Sequence, residues 1–487
     1  MKILLDPVYT ALPSSCSTSY LFWQIIEELI AARDDVFFHL LVPQSALEND
    51  DEKDFLLRHQ DRVRLVPYDG GCRDRMREMW TFPTEFADIL HPASVGFFDV
   101  DAVISSRIHQ LAMFKFNSAR RQSYGNGSFR TFIGMEEMPI FSFSKTVAWH
   151  EEDHFIDLYT LGNYNAADAV VLSSFWARAR VLQAARANLT PSKVRQLSEK
   201  LYEGAPVPLE RLEVKEPAGR PEKLNVVFCG RAVSSANFAD VAEMFRTQFS
   251  FPLGKGDMDF IVSTNSAGVT TKQYGDMSMV SIEQNGREAF YKFLRETAHV
   301  AINPSPVNDF SLSTYEMLKH GVPVIVYDKD WTNFLGRDYP FRAASFEQAY
   351  GFVNLFAQEY ETAMAMFADW EATYWADFVE EQEGKQTPIV ARDLVLAHEK
   401  NAREWLAAQG FGQTYLELIE KVKAQGEPFV NIDKMLKDEE MMHPSGLTHK
   451  NVVGRTPIFQ IVKLLMLNNG YKDTLEPGVV ALREDAA

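Results

Sequence analysis

Two series of short apolar runs separated by helical lengths constrain the fold of this 487-residue chain more than any other feature. The first series opens with "MKILLD" at residue 1 and closes with "ADAVVLSS" at residue 167. The second opens with "LNVVFCGR" at residue 224 and closes with "VPVIVYD" at residue 322. Strands that alternate with helices are typical of βαβ units, which build parallel sheets. The sequence therefore predicts an α/β protein with two Rossmann-like halves.

The stretch between the two series has the composition of a linker. Residues 213–223, "EVKEPAGRPEK", are polar and rich in Pro and Gly. We predict an N-terminal domain over 1–212 and a second domain over 224–380, because one core rarely extends over a chain of this length. Helical stretches at 381–426 are expected to brace the two halves, and 427–487 to form a small C-terminal appendage.

Composition and charge limit the cellular compartment and the binding partners that we expect. The formal net charge of -18 argues against a broad, non-specific nucleic-acid surface, although a local basic groove stays open. The three cysteines have no metal-ligand spacing, which indicates a reduced, intracellular setting. No apolar window is long enough to span a membrane, and the first residues reach a proline too soon for a signal peptide. The sequence predicts a cytoplasmic protein.

One stretch carries the clearest chemical signal. Residues 303–328, "NPSPVNDFSLSTYEMLKHGVPVIVYD", place a Pro-Ser loop and a helix between two apolar strands. A helix N-terminus presents N–H groups and a partial positive charge, which suit a diphosphate. Glu316 lies in the early turns of this predicted helix, where a carboxylate can accept hydrogen bonds from two vicinal ribose hydroxyls. The alternative is that Glu316 is a partly exposed helix residue without a ligand.

These motifs together resemble the retaining GT-B glycosyltransferase superfamily, the branch of glycogen, sucrose and mannosyl-lipid synthases. Its donor motif has a Pro-Ser loop, two acids eight residues apart and a G-x-P-V turn before a strand. Glu316 falls on the second acid, which the resemblance makes a ribose ligand. Asn308 stands at the first acid with Asp309 beside it, and His150 stands at a histidine that faces the sugar. The resemblance therefore implies His150, Asp309 and Asn308 as candidate catalytic residues.

The resemblance also implies a donor site built from several segments. Arg231 in "NVVFCGR" matches an arginine that neutralises the diphosphate, where a cation would stabilise the leaving group. Gly286 lies in the segment expected near the nucleobase, and Ser234 lies where the family usually has a lysine. The implied donor-binding residues are Arg231, Glu316, Ser311, Leu312, Ser313, Gly286 and Ser234.

The implied co-substrate is a nucleoside diphosphate sugar, with a UDP-sugar as the expected donor and no obligatory metal. The Asp-Val-Asp sequence at 99–101 enters a predicted strand and is interpreted as a strand cap rather than a metal site. No pair of carboxylates indicates a glycosidase. The expected reaction is sugar transfer to a hydroxyl group with retention of configuration.

The acceptor is expected on the N-terminal half. Residues 114–137, "FKFNSARRQSYGNGSFRTFIGMEE", combine basic and aromatic side chains on a Gly-containing loop. Such a loop can grip a polyanion and stack a base, or it can be an ordinary surface loop with solvated charges. The predicted acceptor-binding residues are Ser15, Arg120, Arg121, Tyr124 and Arg130.

The C-terminal appendage has its own pattern. "THKNVVGRTPIFQIVKLLML", residues 448–467, predicts two helices separated by a turn, and "GVVALRE" predicts a closing strand. This order is similar to a HARE-type winged helix, with Lys463 among the candidates for phosphate contact; the alternative is a brace or a dimer contact. A winged helix would favour duplex DNA with 5-hydroxymethylpyrimidine bases as the acceptor, as in phage enzymes that act in the host cytoplasm. A glycan, lipid or small-molecule acceptor, or a non-catalytic nucleotide-sugar- or DNA-binding protein, are the other hypotheses.

Overall fold

The computed structural model describes nineteen parts of the chain, and the structural statements below concern these residues. They are residues 1–7, 17–43, 47, 57–68, 100–106, 108, 111–112, 115, 131–136, 153–205, 221–229, 258–264, 270–274, 277–283, 287–305, 311–408, 413–438, 456–476 and 478–483.

Seven parallel strands form the first sheet, in the order β3-β2-β1-β4-β5-β6-β7. The strands are β1 Lys2–Asp6, β2 Phe37–Pro43, β3 Val63–Tyr68, β4 Ala102–Ser105, β5 Thr131–Glu136, β6 Ala169–Leu172 and β7 Leu201–Glu203. The helices of this half are α1 Ser17–Ala32, α2 Asp153–Ala166, α3 Phe175–Asn188 and α4 Pro191–Ser198. Every residue of β1, β4 and β6 is buried, because a parallel sheet is covered on both faces.

The second sheet also has seven strands, in the order β10-β11-β9-β8-β12-β13-β14. The strands are β8 Leu224–Cys229, β9 Met258–Thr264, β10 Thr270–Tyr274, β11 Met277–Glu283, β12 Val300–Asn303, β13 Val324–Tyr327 and β14 Arg342–Ala343. All neighbours pair in parallel except β10, which runs antiparallel to β11. The helices α5 Arg287–Glu296 and α6 Leu312–Lys319 precede and follow β12.

Four further helices lead from the second sheet back to the first. They are α7 Phe346–Gln358, α8 Tyr360–Trp370, α9 Ala376–Glu383 and α10 Thr387–Ala408. Ala391 and Val395 of α10 share an apolar core with residues of the first sheet and α1. Two backbone hydrogen bonds join the start of α10 to the segment after β7. The N–H of Ala205 donates to the carbonyl of Lys385 at 2.8 Å, and the N–H of Thr387 donates to the carbonyl of Ala205 at 2.9 Å. No helix in the described part of the chain, α10 included, is long and apolar enough to cross a membrane.

The C-terminal elements build a separate small core. They are α11 Gln413–Ala424, β15 Phe429–Asn431, α12 Ile432–Asp438, α13 Thr456–Asn468, β16 Tyr471–Asp473 and β17 Val479–Leu482. The three strands form an antiparallel sheet in the order β15-β17-β16. The fully buried residues of this small core include Ile419, Val462 and Tyr471.

The structure corrects the predicted acceptor loop at residues 114–137. Residues 131–136 are strand β5, which pairs with β4 and β6 in the first sheet. Phe132 and Ile133 are buried in it. The run Thr-Phe-Ile has the aromatic and β-branched residues that strands favour, but Gly125, Gly127 and Arg130 before it and Gly134 after it concealed the strand.

A buried ionic cluster joins the C-terminal elements to the first sheet. Lys463 of α13 is fully buried, and its Nζ lies 2.8 Å from Oδ2 of Asp101 and 3.2 Å from Oδ2 of Asp473. Asp101 also accepts a hydrogen bond from the backbone N–H of Lys2 at 2.8 Å. The Lys2 ammonium donates to the carbonyl of Glu476 at 2.5 Å. Because Lys2 and Asp101 stand at the starts of β1 and β4, the cluster lies at the amino edge of the sheet.

These contacts decide two of the sequence predictions. The interpretation of residues 99–101 as a strand cap is confirmed at Asp101, whose carboxylate binds the backbone at the start of β1. The prediction that Lys463 contacts phosphate is wrong, because its ammonium group is held in the interior between two carboxylates. A buried cation is retained where it is paired, and that pairing withdraws it from any external ligand.

Replacing Lys463 with methionine leaves two buried carboxylates without this cation. Removing one partner of a buried ion pair costs about 3 to 5 kcal/mol, so we expect urea unfolding to show a loss of about 3 kcal/mol. Lys400→Met is the matched control, because Lys400 and Glu404 form an exposed pair 3.8 Å apart. Its loss should be under about 0.5 kcal/mol. Similar losses in the two variants would contradict a stabilising role for the cluster.

The cluster should also make stability depend on pH. Burial by itself raises the pKa of Asp473, but Lys463, the N-terminal ammonium group and Lys2 outweigh it and hold the pKa below its usual 3.8. At a pH near or below 4, the Asp473 carboxylate therefore binds a proton more readily in the unfolded chain than in the folded chain. The stabilisation is present above about pH 4 and is lost as the pH falls through the folded pKa. We expect the free energy of unfolding to fall less steeply with acidification in Asp473→Asn than in the wild type. Parallel pH profiles would refute this.

Candidate functional site

The strand order of the second sheet creates a crevice between β8 and β12. From β8 the chain continues to β9 on one side, and from β12 it continues to β13 on the other. Val227 pairs with Ala301, so the two strands reach their carboxyl ends, Cys229 and Asn303, in step. In open α/β sheets, ligands bind in the crevice at such a switch point. The topology therefore directs attention to the residues that follow these two strands.

Asn303, the last residue of β12, organises the start of α6. Its Nδ2 donates to Oγ1 of Thr314 at 2.8 Å and to Oγ of Ser311 at 3.2 Å. Its Oδ1 accepts from the backbone N–H of Ser305 at 3.2 Å, and the Ser305 carbonyl accepts from the indole N–H of Trp331 at 3.0 Å. All five residues are buried. This network fixes the N-terminus of α6 at the carboxyl end of β12.

Three predicted donor-binding residues meet at that N-terminus. Ser311 is the N-cap, and its Oγ accepts from the backbone N–H of Thr314 at 3.3 Å. Leu312 is buried, and the Ser313 hydroxyl lies 3.3 Å from that of Ser311. The Ser311 hydroxyl serves the helix itself, so the capacity of this segment to bind an anion belongs to its backbone N–H groups and the helix dipole.

Glu316 lies one turn further along α6, and its side chain is held. It is 4% exposed, so the alternative of a partly exposed helix residue is wrong. Its Oε1 accepts from the hydroxyl of Tyr291, on α5, at 2.9 Å. The Tyr291 ring lies 4.9 Å from that of His320, and His320 Nδ1 lies 2.7 Å from the Glu316 carbonyl oxygen. Carboxylates are rarely buried without such partners, so Glu316 is a carboxylate held in a fixed position one turn from the N-terminus of α6.

The first sheet has a switch point of its own, between β1 and β4. Asp6 ends β1 and is paired in register with Ser105, which ends β4. Oδ2 of Asp6 accepts from the Ser105 hydroxyl at 2.9 Å, and both residues are buried. Neither residue was predicted from the sequence. The sequence signal that could have identified them is a polar residue at the end of each apolar run, an aspartate at the end of "MKILLD" and a serine at the end of "DAVIS".

Most of the predicted site residues lie outside the described residues, and their roles stay predictions. They are His150, Asn308, Asp309, Arg231, Ser234, Gly286, Ser15, Arg120, Arg121, Tyr124 and Arg130. Arg231 follows β8 by two residues and Asn308 follows β12 by five, so both come after the strands that form the crevice. In the described ranges, no group of three or more His, Cys, Asp or Glu residues is arranged to hold a metal ion.

The sequence matches no family model and no curated protein. The structure, in contrast, is similar to solved structures along most of its length. Sucrose-phosphate synthase from Thermosynechococcus elongatus has 13% sequence identity and a TM-score of 0.55, with 84% of this chain and 99% of that chain covered. HepE from Anabaena in complex with UDP-glucose has 12% identity and a TM-score of 0.50, with 84% and 100% covered. These similarities confirm the predicted α/β GT-B fold with two Rossmann-like parallel sheets.

Proposed function

We propose that this protein is a glycosyltransferase that moves a sugar from a nucleoside diphosphate sugar to a hydroxyl acceptor. The observation that carries the proposal is the placement of the buried Glu316 on α6, whose N-terminus is fixed at the switch point of the second sheet. A carboxylate accepts from vicinal ribose hydroxyls, and the helix N-terminus attracts the diphosphate. The two groups lie about one helical turn apart on one rigid element.

The structural comparisons support the choice of donor. The HepE structure, which has this fold, contains UDP-glucose. The other similar protein is a sucrose-phosphate synthase. The HepE complex supports a UDP-sugar as the proposed donor and UDP-glucose as the first compound to test.

The proposed chemistry breaks the bond between the sugar C1 and the diphosphate oxygen and forms a bond between C1 and the acceptor oxygen. The nucleoside diphosphate leaves with the bonding electrons, and its departing oxygen takes up the proton of the acceptor hydroxyl. Arg231 and the N-terminus of α6 are proposed to stabilise the negative charge that develops on the diphosphate. His150, Asp309 and Asn308 are proposed to lie at the transferred sugar, and configuration is proposed to be retained.

The acceptor is proposed to bind at the carboxyl edge of the first sheet. Asp6 offers a carboxylate there, and Ser105 orients it by a hydrogen bond of 2.9 Å. Ser15 belongs to the segment that follows β1 and is proposed to contribute to the same subsite. A carboxylate in this position is suited to accept a hydrogen bond from an acceptor hydroxyl group.

The contacts of the C-terminal elements favour a brace over a DNA-binding module. The three helices and antiparallel sheet from α11 to β17 support the proposed winged-helix-like architecture. However, α13 docks at the amino edge of the first sheet through Lys463, and Gln460 donates to the Val100 carbonyl at 3.4 Å. The proposed acceptor subsite is at the opposite edge, about 17 Å away along a five-residue strand. The docked face of α13 is therefore not available to DNA.

A donor-release assay tests the proposal. UDP- and GDP-sugars are supplied with a glycan and lipid panel, plain duplex DNA, or duplex DNA with 5-hydroxymethylpyrimidines, and the released nucleotide and product mass are followed. Release of UDP with a sugar-sized mass gain on any hydroxyl acceptor supports the glycosyltransferase. A gain on the modified DNA alone would restore the DNA-base acceptor. Binding of nucleotide sugar without release from any donor would instead favour a non-catalytic binding protein.

Glu316→Gln should weaken donor binding, because the neutral amide is a poorer acceptor for ribose hydroxyls. Hydrogen bonds to charged groups contribute about 1.5 to 3 kcal/mol, so we expect the Kd for UDP to rise about 10- to 100-fold by calorimetry. Glu383→Gln is the control, since Glu383 pairs with Lys319 at the end of the same helix and is 51% exposed. If both variants bind UDP as the wild type does, Glu316 is not a ribose ligand.

Removing the N-cap hydroxyl of α6 should affect binding as well as stability. Ser311→Ala and Ser345→Ala each delete an N-cap, since Ser345 Oγ accepts from the N–H of Gln348 at 3.3 Å at the start of α7. Each change should cost about 1 kcal/mol in the free energy of unfolding. Only Ser311→Ala should also weaken UDP binding, by about fivefold, because only α6 begins at the crevice. Equal UDP affinities for the two variants would contradict the proposed diphosphate site.

A further inference from the structure

Tyr291 is not among the donor-binding residues predicted from the sequence. It lies on α5 and precedes Glu316 by 25 positions in the chain. Its hydroxyl is the donor of a buried hydrogen bond to Oε1 of Glu316, with an oxygen–oxygen distance of 2.9 Å. Tyr291 is 8% exposed and Glu316 4%, so the bond is shielded from water. The helices α5 and α6, which precede and follow β12 in the chain, are therefore linked by a hydrogen bond to one carboxylate oxygen.

A second contact fixes the phenol ring in this position. The ring of Tyr291 lies 4.9 Å from that of His320, with an angle of 33° between the planes. His320 is fully buried at the end of α6, and its Nδ1 lies 2.7 Å from the Glu316 carbonyl oxygen. A ring packed in this way loses little further freedom when its hydroxyl binds Glu316. The Tyr291 hydroxyl is thus aimed by packing on the same helix that carries the carboxylate.

We propose that Tyr291 is a positioning residue that orients the Glu316 carboxylate toward the ribose of the donor and thereby sets a preference for ribonucleotides over 2′-deoxyribonucleotides. The inference rests on the proposed function. A carboxylate has about four lone-pair sites, so it can accept from the phenol and from ribose hydroxyls together. Without the phenol, the carboxylate loses the hydrogen bond that fixes the direction of Oε1, and vicinal hydroxyls would meet a less precisely oriented partner. Orientation by a supporting hydrogen bond is what makes such a contact selective.

The test compares the binding of UDP and 2′-deoxy-UDP to the full chain by calorimetry. We expect the wild type to prefer UDP by about tenfold, which corresponds to the hydrogen bond that the 2′-hydroxyl makes. In Tyr291→Phe the ratio should fall to about twofold, because UDP binds more weakly while 2′-deoxy-UDP is little affected. If Tyr291 had a purely structural role, its replacement would weaken the binding of both nucleotides equally and leave the ratio of their affinities unchanged.

Tyr339→Phe is the matched control. Tyr339 is also buried in this half of the chain, and its hydroxyl donates to the Val324 carbonyl at 2.5 Å and accepts from the Val324 N–H at 3.0 Å. It should lower thermal stability as Tyr291→Phe does, but it should keep the tenfold preference for UDP. Loss of the preference in both variants would overturn the inference, since it would reflect general loosening of the domain.

A double-mutant cycle shows whether Tyr291 acts through Glu316. If it does, Tyr291→Phe should change the UDP affinity of the Glu316→Gln variant by less than about twofold. Additive losses would overturn the positioning role.

UDP binding by the wild type distinguishes a failure of this inference from a failure of the proposed function. If the wild type binds UDP and Tyr291→Phe keeps the wild-type ratio of UDP to 2′-deoxy-UDP affinity, the inference alone is refuted. Failure of the wild type to bind UDP, GDP or ADP would refute the proposed function and the inference with it.

Discussion

The parallel pairing of β12 with β8 on one side and β13 on the other decides where this protein can bind a ligand. The chain leaves β8 and β12 in opposite directions, so a crevice opens where both strands end. The proposed diphosphate and ribose contacts follow these two strands, since Arg231 comes after β8 and the segment from Asn303 through α6 comes after β12. If β12 were moved to the edge of the sheet, the same motifs would have no common site.

Around the end of β12, buried polar groups are held by one another. The Asn303 side chain binds Ser311 and Thr314 at the start of α6, and Tyr291 binds Glu316 in its next turn. Unpaired polar groups in the interior are costly, so such networks are rigid when they are satisfied. A helix N-terminus and a carboxylate that are fixed in this way can meet a diphosphate and a ribose with little reorganisation.

The two edges of the first sheet carry different buried polar groups. Its carboxyl edge carries the Asp6–Ser105 pair, which is proposed for the acceptor. Its amino edge carries the ionic cluster of Lys463, Asp101 and Asp473, which secures the C-terminal elements. Because the strands are all parallel, these two functions are kept a full strand length apart. The contacts of the C-terminal elements with the first sheet therefore lie away from the proposed acceptor subsite.

The sequence alone determined the two parallel sheets, the helix that begins at Leu312 and the place of Glu316 on it, because apolar runs, helical spacing and capping residues are local signals. It did not reveal β5 within a basic and glycine-containing segment, the pair formed by Asp6 and Ser105, or the contact of Tyr291 with Glu316. It also left Lys463 as a phosphate ligand, whereas the fold buries it. Those features depend on which strands become neighbours and which helices pack together, and long-range pairing of this kind leaves no signal in local residue spacing.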